Sequence, residues 1–350
     1  MKIFHTSDLH LSEKKKGTIH TLENILEIAK SIGVDLVTIG GDFFDSDRDA
    51  EVLRPKLREL FQGNNFRIIV IAGNHDSQSF SGDLDFGSDI KVAIDEPFET
   101  IPFEDVTIVA LPYREKPDEQ LLHDLKNAAD ISGTKVLLLH CTLDIGFLKH
   151  GAGEEESRSY FPITRDTLSR LGYDYILAGH FHSPRSRLAL DGGCTFLYPG
   201  SPISHSKKEI GKRHAYLIDT SEKSIESIPL NTFYYDHLPI NVIPGQEKGA
   251  IKEIQDWVHS RSNDECDLDI EIKGFIQIPE MEFREALGNF GDNVSIHPQY
   301  KDVRNVLEYP LYRRFKEKIL TDESIENVQD LDVLVLDTIT QLLAGRRLRT

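Results

Sequence analysis

The sequence has few cysteines and no long apolar run. Its three cysteines are Cys141, Cys194 and Cys266, and no Cys-x-x-Cys pair occurs. Their odd number and wide spacing argue against a disulfide framework and against a zinc knuckle. No apolar run approaches the ~18 residues that a membrane span needs. The N-terminus leads directly into an apolar run and leaves no room for a signal peptide, so we expect a cytoplasmic protein without a membrane segment.

The chain also lacks an excess of positive charge. It has 40 Lys and Arg against 58 Asp and Glu, which gives a net charge of −18. An acidic body repels nucleic acid, so any DNA contact has to use local basic patches or a partner. The candidate patches are Lys14 to Lys16, Arg185 with Arg187, and the group Lys207, Lys208, Lys212 and Arg213. Each patch alone is more typical of a solvated surface. The length of 350 residues predicts about two domains.

Five short polar motifs each follow a short apolar run. The apolar runs span residues 2–4, 36–39, 68–72, 136–139 and 175–178. The motifs are Asp8-Leu9-His10, Gly41-Asp42, Gly73-Asn74-His75-Asp76, His140 and Gly179-His180-Phe181-His182. Buried strands that end in polar loops bring distant residues to one edge of a sheet, where α/β proteins place their ligand sites. Because each motif alone is typical of an ordinary turn or a core histidine, the prediction depends on the ordered set.

These motifs supply side chains that suit a pair of divalent metal ions. The seven candidate ligands are two carboxylates, four imidazoles and one amide, namely Asp8, His10, Asp42, Asn74, His140, His180 and His182. Such donors are hard or borderline, and two ions ~3.5–4 Å apart promote the hydrolysis of phosphate esters. We assign Asp8, His10 and His182 to one ion. Asn74, His140 and His180 belong to the other, and Asp42 bridges the two because a bridge needs an anion with two usable oxygens.

Four residues beside these motifs are expected to assist the ions. An imidazole, whose ordinary pKa is about 6.5, can protonate a leaving oxygen, which makes His75 the candidate catalytic residue. Two roles are open for Asp76, since it could fix the tautomer of His75 or cap a following helix. Asp45 and His5 are expected to orient the ligands by hydrogen bonding.

Residues 1–232 alternate short apolar runs with amphipathic stretches. Apolar residues recur at helical spacing in residues 18–32, and similar patterns occur in residues 53–61 and 120–129. Further strands are predicted at residues 107–111, 195–198 and 214–218. This alternation predicts a layered α/β sandwich with the helices outside and the sheet inside.

The remaining residues form two further segments. Residues 233–303 combine predicted strands at 238–243, 267–272 and 293–297 with helices at 247–260 and 281–287, which indicates a small α/β cap domain. Residues 304–350 predict a C-terminal helical tail with a basic helix at 312–319. A later apolar stripe contains Leu331, Leu334, Val335, Ile339, Leu342 and Leu343. Two interpretations of this stripe are open, namely packing against its own domain or docking into a partner.

The five motifs resemble those of the calcineurin-like metallophosphoesterases over residues 1 to about 220. The order Asp-x-His, Gly-Asp, Gly-Asn-His, His and Gly-His-x-His carries this resemblance. A more specific resemblance is to the SbcD-type repair nucleases, the meiotic-recombination-eleven family. It is carried by residues 5–11 (HTSDLHL), by residues 173–175 (YDY) before the last motif, and by residues 198–202 (YPGSP) with Glu209 and Gly211.

The resemblance implies a four-layer sandwich, two Mn²⁺ ions and hydrolysis of DNA phosphodiesters as an exonuclease and endonuclease. Members of the family carry a small cap after the phosphoesterase domain. Their C-terminal segment binds a coiled-coil ABC ATPase of the SbcC type. We therefore expect DNA and such an ATPase as partners, association with the nucleoid, and a role in double-strand-break repair. Whether the chain forms a homodimer is left open.

Two other functions remain open at this point. A phosphodiesterase or phosphatase acting on nucleotides or phosphoproteins would use the same ions. The protein phosphatases of this superfamily place an arginine directly after the Gly-Asp motif, whereas the nearest arginine here is Arg48, at a different spacing. A non-catalytic scaffold for an ATPase is disfavoured, because a scaffold has no reason to keep all the metal ligands.

Overall fold

The computed structural model describes residues 1–80, 85–143, 160–183, 185–321 and 327–347. The chain divides into two compact units, Met1–Tyr235 and Asp236–Thr350. None of the described helices is long and apolar enough to cross a bilayer.

The first unit contains two six-stranded sheets. Its strands are β1 (Lys2–Thr6), β2 (Leu36–Ile39), β3 (Arg67–Ile71), β4 (Ile90–Ala93), β5 (Glu99–Pro102), β6 (Val106–Ala110), β7 (Thr134–His140), β8 (Thr142–Leu143), β9 (Pro162–Ile163), β10 (Tyr175–Gly179), β11 (Ser186–Ala189), β12 (Thr195–Tyr198), β13 (His214–Asp219) and β14 (Ser224–Pro229). The order is β14-β13-β1-β2-β3-β4 in the first sheet and β11-β12-β10-β7-β6-β5 in the second, while β8 pairs with β9. In the first sheet β1 to β4 run parallel, with antiparallel β13 and β14 on one side. In the second sheet β12, β10, β7 and β6 run parallel, with an antiparallel strand at each edge.

Side chains that alternate along the strands fill three apolar layers. One layer lies between the sheets and joins Ile3 and Leu36 to Leu138 and Leu177. The opposite face of the first sheet packs against the helices α1 (Thr18–Ile32) and α2 (Asp47–Leu60). The opposite face of the second sheet packs against α3 (Glu119–Ala128) and α4 (Arg165–Ser169). Because strands covered on both faces are apolar at most positions, the short apolar runs could be recognised in the sequence. The predicted α/β sandwich with outer helices is confirmed.

One expectation about this sandwich was wrong. We expected the five motifs to meet at the edge of a single sheet. The structure divides them, because β1, β2 and β3 belong to the first sheet whereas β7 and β10 belong to the second. The motifs meet because the ends of two stacked sheets lie side by side. His5 on β1 links the sheets directly, since its Nε2 lies 3.3 Å from the carbonyl oxygen of Ala178 on β10.

The second unit begins with a three-stranded sheet. Its elements are β15 (Tyr234–Val242), α5 (Glu247–His259), β16 (Cys266–Ile276), α6 (Glu280–Leu287) and β17 (Val294–Asp302), with the strand order β15-β16-β17. Apolar side chains of α5 and α6, including Ile254 and Phe283, pack on Ile270 and Ile272 of the central strand. The alternation in β16 follows from this one-sided covering.

Three helices complete the second unit, namely α7 (Arg304–Leu307), α8 (Pro310–Thr321) and α9 (Val328–Arg347). Leu336 and Ile339 of α9 are buried against a cluster that includes Phe275 and Tyr312. Leu334 and Leu342 are 62% and 59% exposed. The helix therefore packs on its own unit through one side, and part of the predicted stripe faces outward. Whether residues 304–350 form a separate partner-binding segment stays a prediction.

Candidate metal centre

The candidate ligands lie in loops that leave the parallel strands at one end of the two sheets. Asp8 and His10 follow β1, and Asp42 follows β2. The first two loops are paired through the backbone, since the N–H of Asp8 donates to the Gly41 carbonyl and that of His10 to the Asp42 carbonyl, both at 3.0 Å. His140 is the last residue of β7, and the remaining ligands follow β3 and β10.

Four candidate ligands have a backbone conformation that L-amino acids rarely adopt. The φ angles are +56° at Asp8, +45° at His10, +47° at Asp42 and +120° at His180. Such conformations cost on the order of 1–3 kcal/mol each and persist where the surrounding structure enforces them. Their concentration at the predicted ligands indicates that these loops are shaped to aim side chains at a common point.

A first group of ligands consists of Asp8, His10 and His182, whose candidate ligand atoms all lie within 4.8 Å of one another. The Nε2 atoms of His10 and His182 are 3.1 Å apart. Burial holds the pKa of His10 well below its ordinary value, and the neighbouring imidazole of His182 lowers it further. The ring is therefore neutral, and a nitrogen lone pair is available for a cation.

A second group consists of Asp8, Asp42 and His140, again within 4.8 Å of one another. Asn74 joins this group, because its Oδ1 lies 3.0 Å from Nε2 of His140. The ring centroid of His180 lies 5.4 Å from that of His140. The sequence interpretation gave Asp8 to the first ion alone, whereas the structure places it beside both groups.

Asp42, a member of the second group, also faces the first group, as a bridging ligand must. Its Oδ2 is 3.8 Å from Nε2 of His10 and 3.5 Å from Nε2 of His140. Burial raises the pKa of the Asp42 carboxyl well above its ordinary value, and the nearby charges of Asp76 and Asp8 raise it further. Neighbouring buried carboxylates are costly unless a cation neutralises them. This arrangement of carboxylates, imidazoles and an amide fits two divalent ions, which when bound would activate water and neutralise developing charge.

Glycines next to the ligands allow the loops to approach each other closely. A Cβ on Gly73 would lie 2.1 Å from Oδ1 of Asp42, and a Cβ on Gly41 would lie 2.4 Å from Nδ1 of His140. Both distances are far below a van der Waals contact. The glycines of the Gly-Asp and Gly-Asn-His motifs are therefore required by the packing of the centre itself.

His75 and Asp76 follow Asn74 in the same turn. The ring of His75 is half-buried, and its centroid lies 4.8 Å from that of His10. His75 also forms a group with His10 and Asp45 whose candidate ligand atoms lie within 4.8 Å of one another. The Asp76 carboxylate has a further role that we did not predict, while its effect on the tautomer of His75 stays a prediction. Its Oδ1 accepts the N–H of Gly73 at 2.6 Å, and its Oδ2 accepts the N–H of Phe43 at 2.7 Å, so it joins two ligand-bearing loops.

His5 and Asp45 lie where they can support the ligands. Nδ1 of the buried His5 lies 3.1 Å from the Thr38 hydroxyl, and burial lowers the pKa of His5 to about 4. Together with its contact to the second sheet, this places a neutral His5 between the ends of the sheets. Oδ1 of Asp45 lies 3.5 Å from Nδ1 of His10 and 2.6 Å from Nζ of Lys15. Nδ1 of His10 has no hydrogen-bond partner among the described residues, so the orientation of His10 by Asp45 stays a prediction.

A protein-family model described as calcineurin-like phosphoesterase matches residues 1–184, slightly more than half of the chain. The chain belongs to this family. The resemblance seen in the five motifs is confirmed at this level. Two proteins similar to this phosphoesterase have names that refer to DNA or to a nuclease. One of them, the SbcD component of the nuclease SbcCD from Escherichia coli K12, is 25% identical over 321 residues, which cover 78% of each chain.

The DNA double-strand break repair protein Mre11 of Aeropyrum pernix is 25% identical to the phosphoesterase over 238 residues, which cover 57% of this chain and 53% of that protein. The uncharacterized metallophosphoesterase YhaO of Bacillus subtilis is 24% identical over 251 residues, which cover 64% of this chain and 59% of that protein. The similarity to these proteins extends beyond the residues that the family model matches.

The structure adds two side chains to the centre of this phosphoesterase that ligand chemistry alone did not single out. Oε1 of Glu209 lies 3.3 Å from Nδ1 of His182. Nε2 of His205 lies 3.2 Å from the carbonyl oxygen of Asp8, and its ring centroid lies 5.0 Å from that of His10. Burial tends to raise the pKa of Glu209, but the hydrogen bond and charge of His182, with His205, lower it to about 2. Glu209 stood out in the sequence through the family resemblance, whereas His205 had no signal in the sequence.

One expected DNA contact is corrected by the structure. Arg213 is buried, and its guanidinium donates to the carbonyl oxygens of Ser201 at 3.0 Å and Glu209 at 3.1 Å. These bonds commit the side chain to the interior, so it does not face a DNA backbone. The three nearby lysines, Lys207, Lys208 and Lys212, are exposed. A contact between these lysines and DNA stays a prediction.

Proposed function

We propose that the phosphoesterase is a dinuclear, Mn²⁺-dependent nuclease that hydrolyses phosphodiesters at DNA ends. The observation that carries this proposal is that two ligand groups share Asp8, and that Oδ2 of Asp42, a member of the second group, also lies 3.8 Å from Nε2 of His10 in the first. Two adjacent cation sites suit a phosphodiester, because both the attacking and the leaving oxygen develop charge. The names of the Escherichia coli and Aeropyrum pernix relatives support DNA as the substrate.

In this proposal His75 acts as a general acid toward the leaving oxygen. Its ring is half-buried beside His10, at the rim of the ligand cluster, where it can meet a substrate. The alkoxide of a sugar is a poor leaving group, so a proton donated in the transition state accelerates its departure. The acid therefore matters for DNA more than for esters with an acidic leaving group.

The charge of the chain bears on how DNA would be held. A net charge of −18 opposes binding to a polyanion. The exposed Lys207, Lys208 and Lys212 supply only three positive charges against it. We therefore propose that a partner protein supplies most of the DNA-binding surface. The name of the Escherichia coli relative, one component of a nuclease complex, supports such a partner, for which we propose a coiled-coil ATPase of the SbcC type.

The direct test compares substrates under one set of conditions. The purified chain is incubated with Mn²⁺ and linear duplex DNA, hairpin DNA, bis-p-nitrophenyl phosphate or p-nitrophenyl phosphate. We expect cleavage of DNA and of the diester, little activity on the monoester, and loss of activity in chelator. Faster hydrolysis of the monoester than of either diester would favour a phosphatase. Metal binding without hydrolysis of any substrate would favour a scaffold.

A further inference from the structure

We propose that Glu209 is a positioning residue that fixes the imidazole of His182 as a ligand of the first ion. The inference rests on the metal centre in the proposed function and adds a residue outside the set of ligands. Glu209 is 5% exposed and lies in the segment that follows β12. Its carboxylate reaches Nδ1 of His182 at 3.3 Å, on the side of the ring opposite the atom that faces His10.

The contacts of the Glu209 carboxylate determine which nitrogen of His182 carries the proton. Oε1 also accepts a hydrogen bond from the hydroxyl of Ser206 at 3.1 Å. Oε2 accepts hydrogen bonds from the hydroxyl of Ser201 at 3.1 Å and from the backbone N–H of His205 at 2.9 Å. A carboxylate bonded in this way is an acceptor at both oxygens. Nδ1 of His182 must then be the donor, which leaves the lone pair on Nε2.

That lone pair lies on the atom that the first ion requires. Nε2 of His182 is 3.1 Å from Nε2 of His10, within the ligand group that includes Asp8. A carboxylate behind a ligating histidine fixes both the tautomer and the ring orientation of that histidine. His140 is oriented differently, because its Nδ1 lies 2.9 Å from the carbonyl oxygen of Gly40 in the backbone. The orientation of His182 thus depends on a side chain that can be substituted.

The carboxylate is itself held in place by the surrounding segment. Arg213 donates to the carbonyl oxygens of Glu209 and His182, at 3.1 and 2.5 Å, so it ties the two backbones together. The Ser204 hydroxyl donates to the Glu209 carbonyl at 2.6 Å. Because these bonds use the backbone of Glu209, they remain when only its side chain is changed. Glu209→Gln therefore removes the charge and turns one acceptor oxygen into an NH2 donor, with little change in volume and with the backbone bonds in place.

The first test is a double-mutant cycle in metal affinity. Mn²⁺ is titrated calorimetrically into metal-stripped wild type, Glu209→Gln, His182→Ala and the double variant. We expect Glu209→Gln to weaken Mn²⁺ binding roughly 10–100-fold at the ion site that includes His182. This is the usual effect of losing such a partner. In the His182→Ala background, Glu209→Gln should add no further loss, because it acts through His182. Glu226→Gln, at an exposed glutamate of β14, is the matched control and should match wild type.

Equal losses in both backgrounds, or wild-type affinity in Glu209→Gln, would overturn the inference. A second readout is the imidazole tautomer in the metal-free chain, measured by two-bond ¹H–¹⁵N correlation. We expect His182 as the Nδ1–H tautomer in wild type and a mixture in Glu209→Gln, whereas an unchanged tautomer contradicts the positioning role. Neither measurement uses DNA. If both measurements give the expected results but wild type does not cleave DNA, the proposed nuclease function is refuted and the positioning role of Glu209 is retained.

Discussion

The backbone N–H of His75 donates a hydrogen bond to Oδ1 of Asp42 at 2.9 Å. The candidate proton donor and the candidate bridging carboxylate are thus held by the same turn. Because the bond comes from the backbone, it survives any change of the His75 side chain that keeps the turn. A substitution at position 75 can therefore separate the chemistry of the imidazole from the positioning of Asp42.

We expect His75→Asn to slow DNA hydrolysis by roughly 10²–10⁴-fold, the typical contribution of a general acid. The loss on bis-p-nitrophenyl phosphate should be much smaller, because p-nitrophenolate leaves without a proton. Rates on both substrates and the metal content of the variant are measured together. Equal losses on the two substrates would contradict the acid role. In that case His75 positions the phosphate or contributes to a cation site with His10 and Asp45.

Gly73→Ala should damage the centre although it adds only a methyl group. The new Cβ would lie 2.4 Å from the backbone nitrogen of Asp42 as well as against its carboxylate, so the bridging residue has to move. Displacement of a reacting group by about 1 Å can cost about 10²-fold in rate, and we expect at least that loss on every substrate. Gly249→Ala is the control, because Gly249 in α5 has no such neighbour within 4 Å. Normal activity in Gly73→Ala would show that the Asp42 loop is not packed as described.

The buried His5 predicts a pH dependence of folding stability. Burial lowers its pKa from 6.5 to about 4 in the folded chain. As the pH falls below 6.5, His5 becomes protonated in the unfolded chain, whereas in the folded chain it stays neutral down to about pH 4. Each such proton destabilises the fold by up to about 1.4 kcal/mol per pH unit. The free energy of unfolding is measured by urea titration in chelator across this pH window. Its slope against pH should be smaller in His5→Gln than in wild type, by the amount that one proton contributes. Parallel slopes for the two proteins would mean that His5 does not titrate as inferred.

The two sides of α9 should respond differently to substitution. Leu336→Ala leaves a cavity in the cluster with Tyr312 and should destabilise the second unit by about 2–5 kcal/mol. Leu334→Glu combined with Leu342→Glu changes exposed positions and should leave stability unchanged. With a co-expressed SbcC-type ATPase, the exposed pair should reduce co-purification, while Met281→Glu, a substitution at an exposed residue of α6, should not. Undiminished co-purification of the Leu334 and Leu342 variant would exclude this face as the contact.

Much of the first unit could be predicted because its strands are covered on both faces. The predicted bounds of α1, β2 and β12 coincide with Thr18–Ile32, Leu36–Ile39 and Thr195–Tyr198. Short edge strands such as β5 and β14 escaped prediction, since their side chains are partly exposed and give no apolar run. The division of the motifs between two sheets also escaped. It depends on long-range strand pairing, which the local pattern of a strand does not encode.

In the candidate site, the sequence could indicate the ligands and not the network behind them. Asp8 and His182 belong to short motifs with recognisable donor types. Asp76 was expected to act on its neighbours, and the structure adds a bond that this expectation did not include, from the N–H of Phe43, 33 residues away in the chain. His205 had no motif around it and reaches the site because the segment after β12 folds back over Asp8. Such roles arise from tertiary packing.

The measurement that tests the central claim most directly is the number of Mn²⁺ ions bound by the wild-type chain and by Asp42→Ala. Metal-stripped protein is titrated with Mn²⁺ at neutral pH, and bound ions are counted after equilibrium dialysis. A dinuclear centre bridged by Asp42 predicts two ions per wild-type chain. It also predicts fewer than two in Asp42→Ala at the same free Mn²⁺ concentration, with DNA hydrolysis lost. Two ions bound to Asp42→Ala with wild-type affinity and hydrolysis, or no ion bound to wild type, would contradict it.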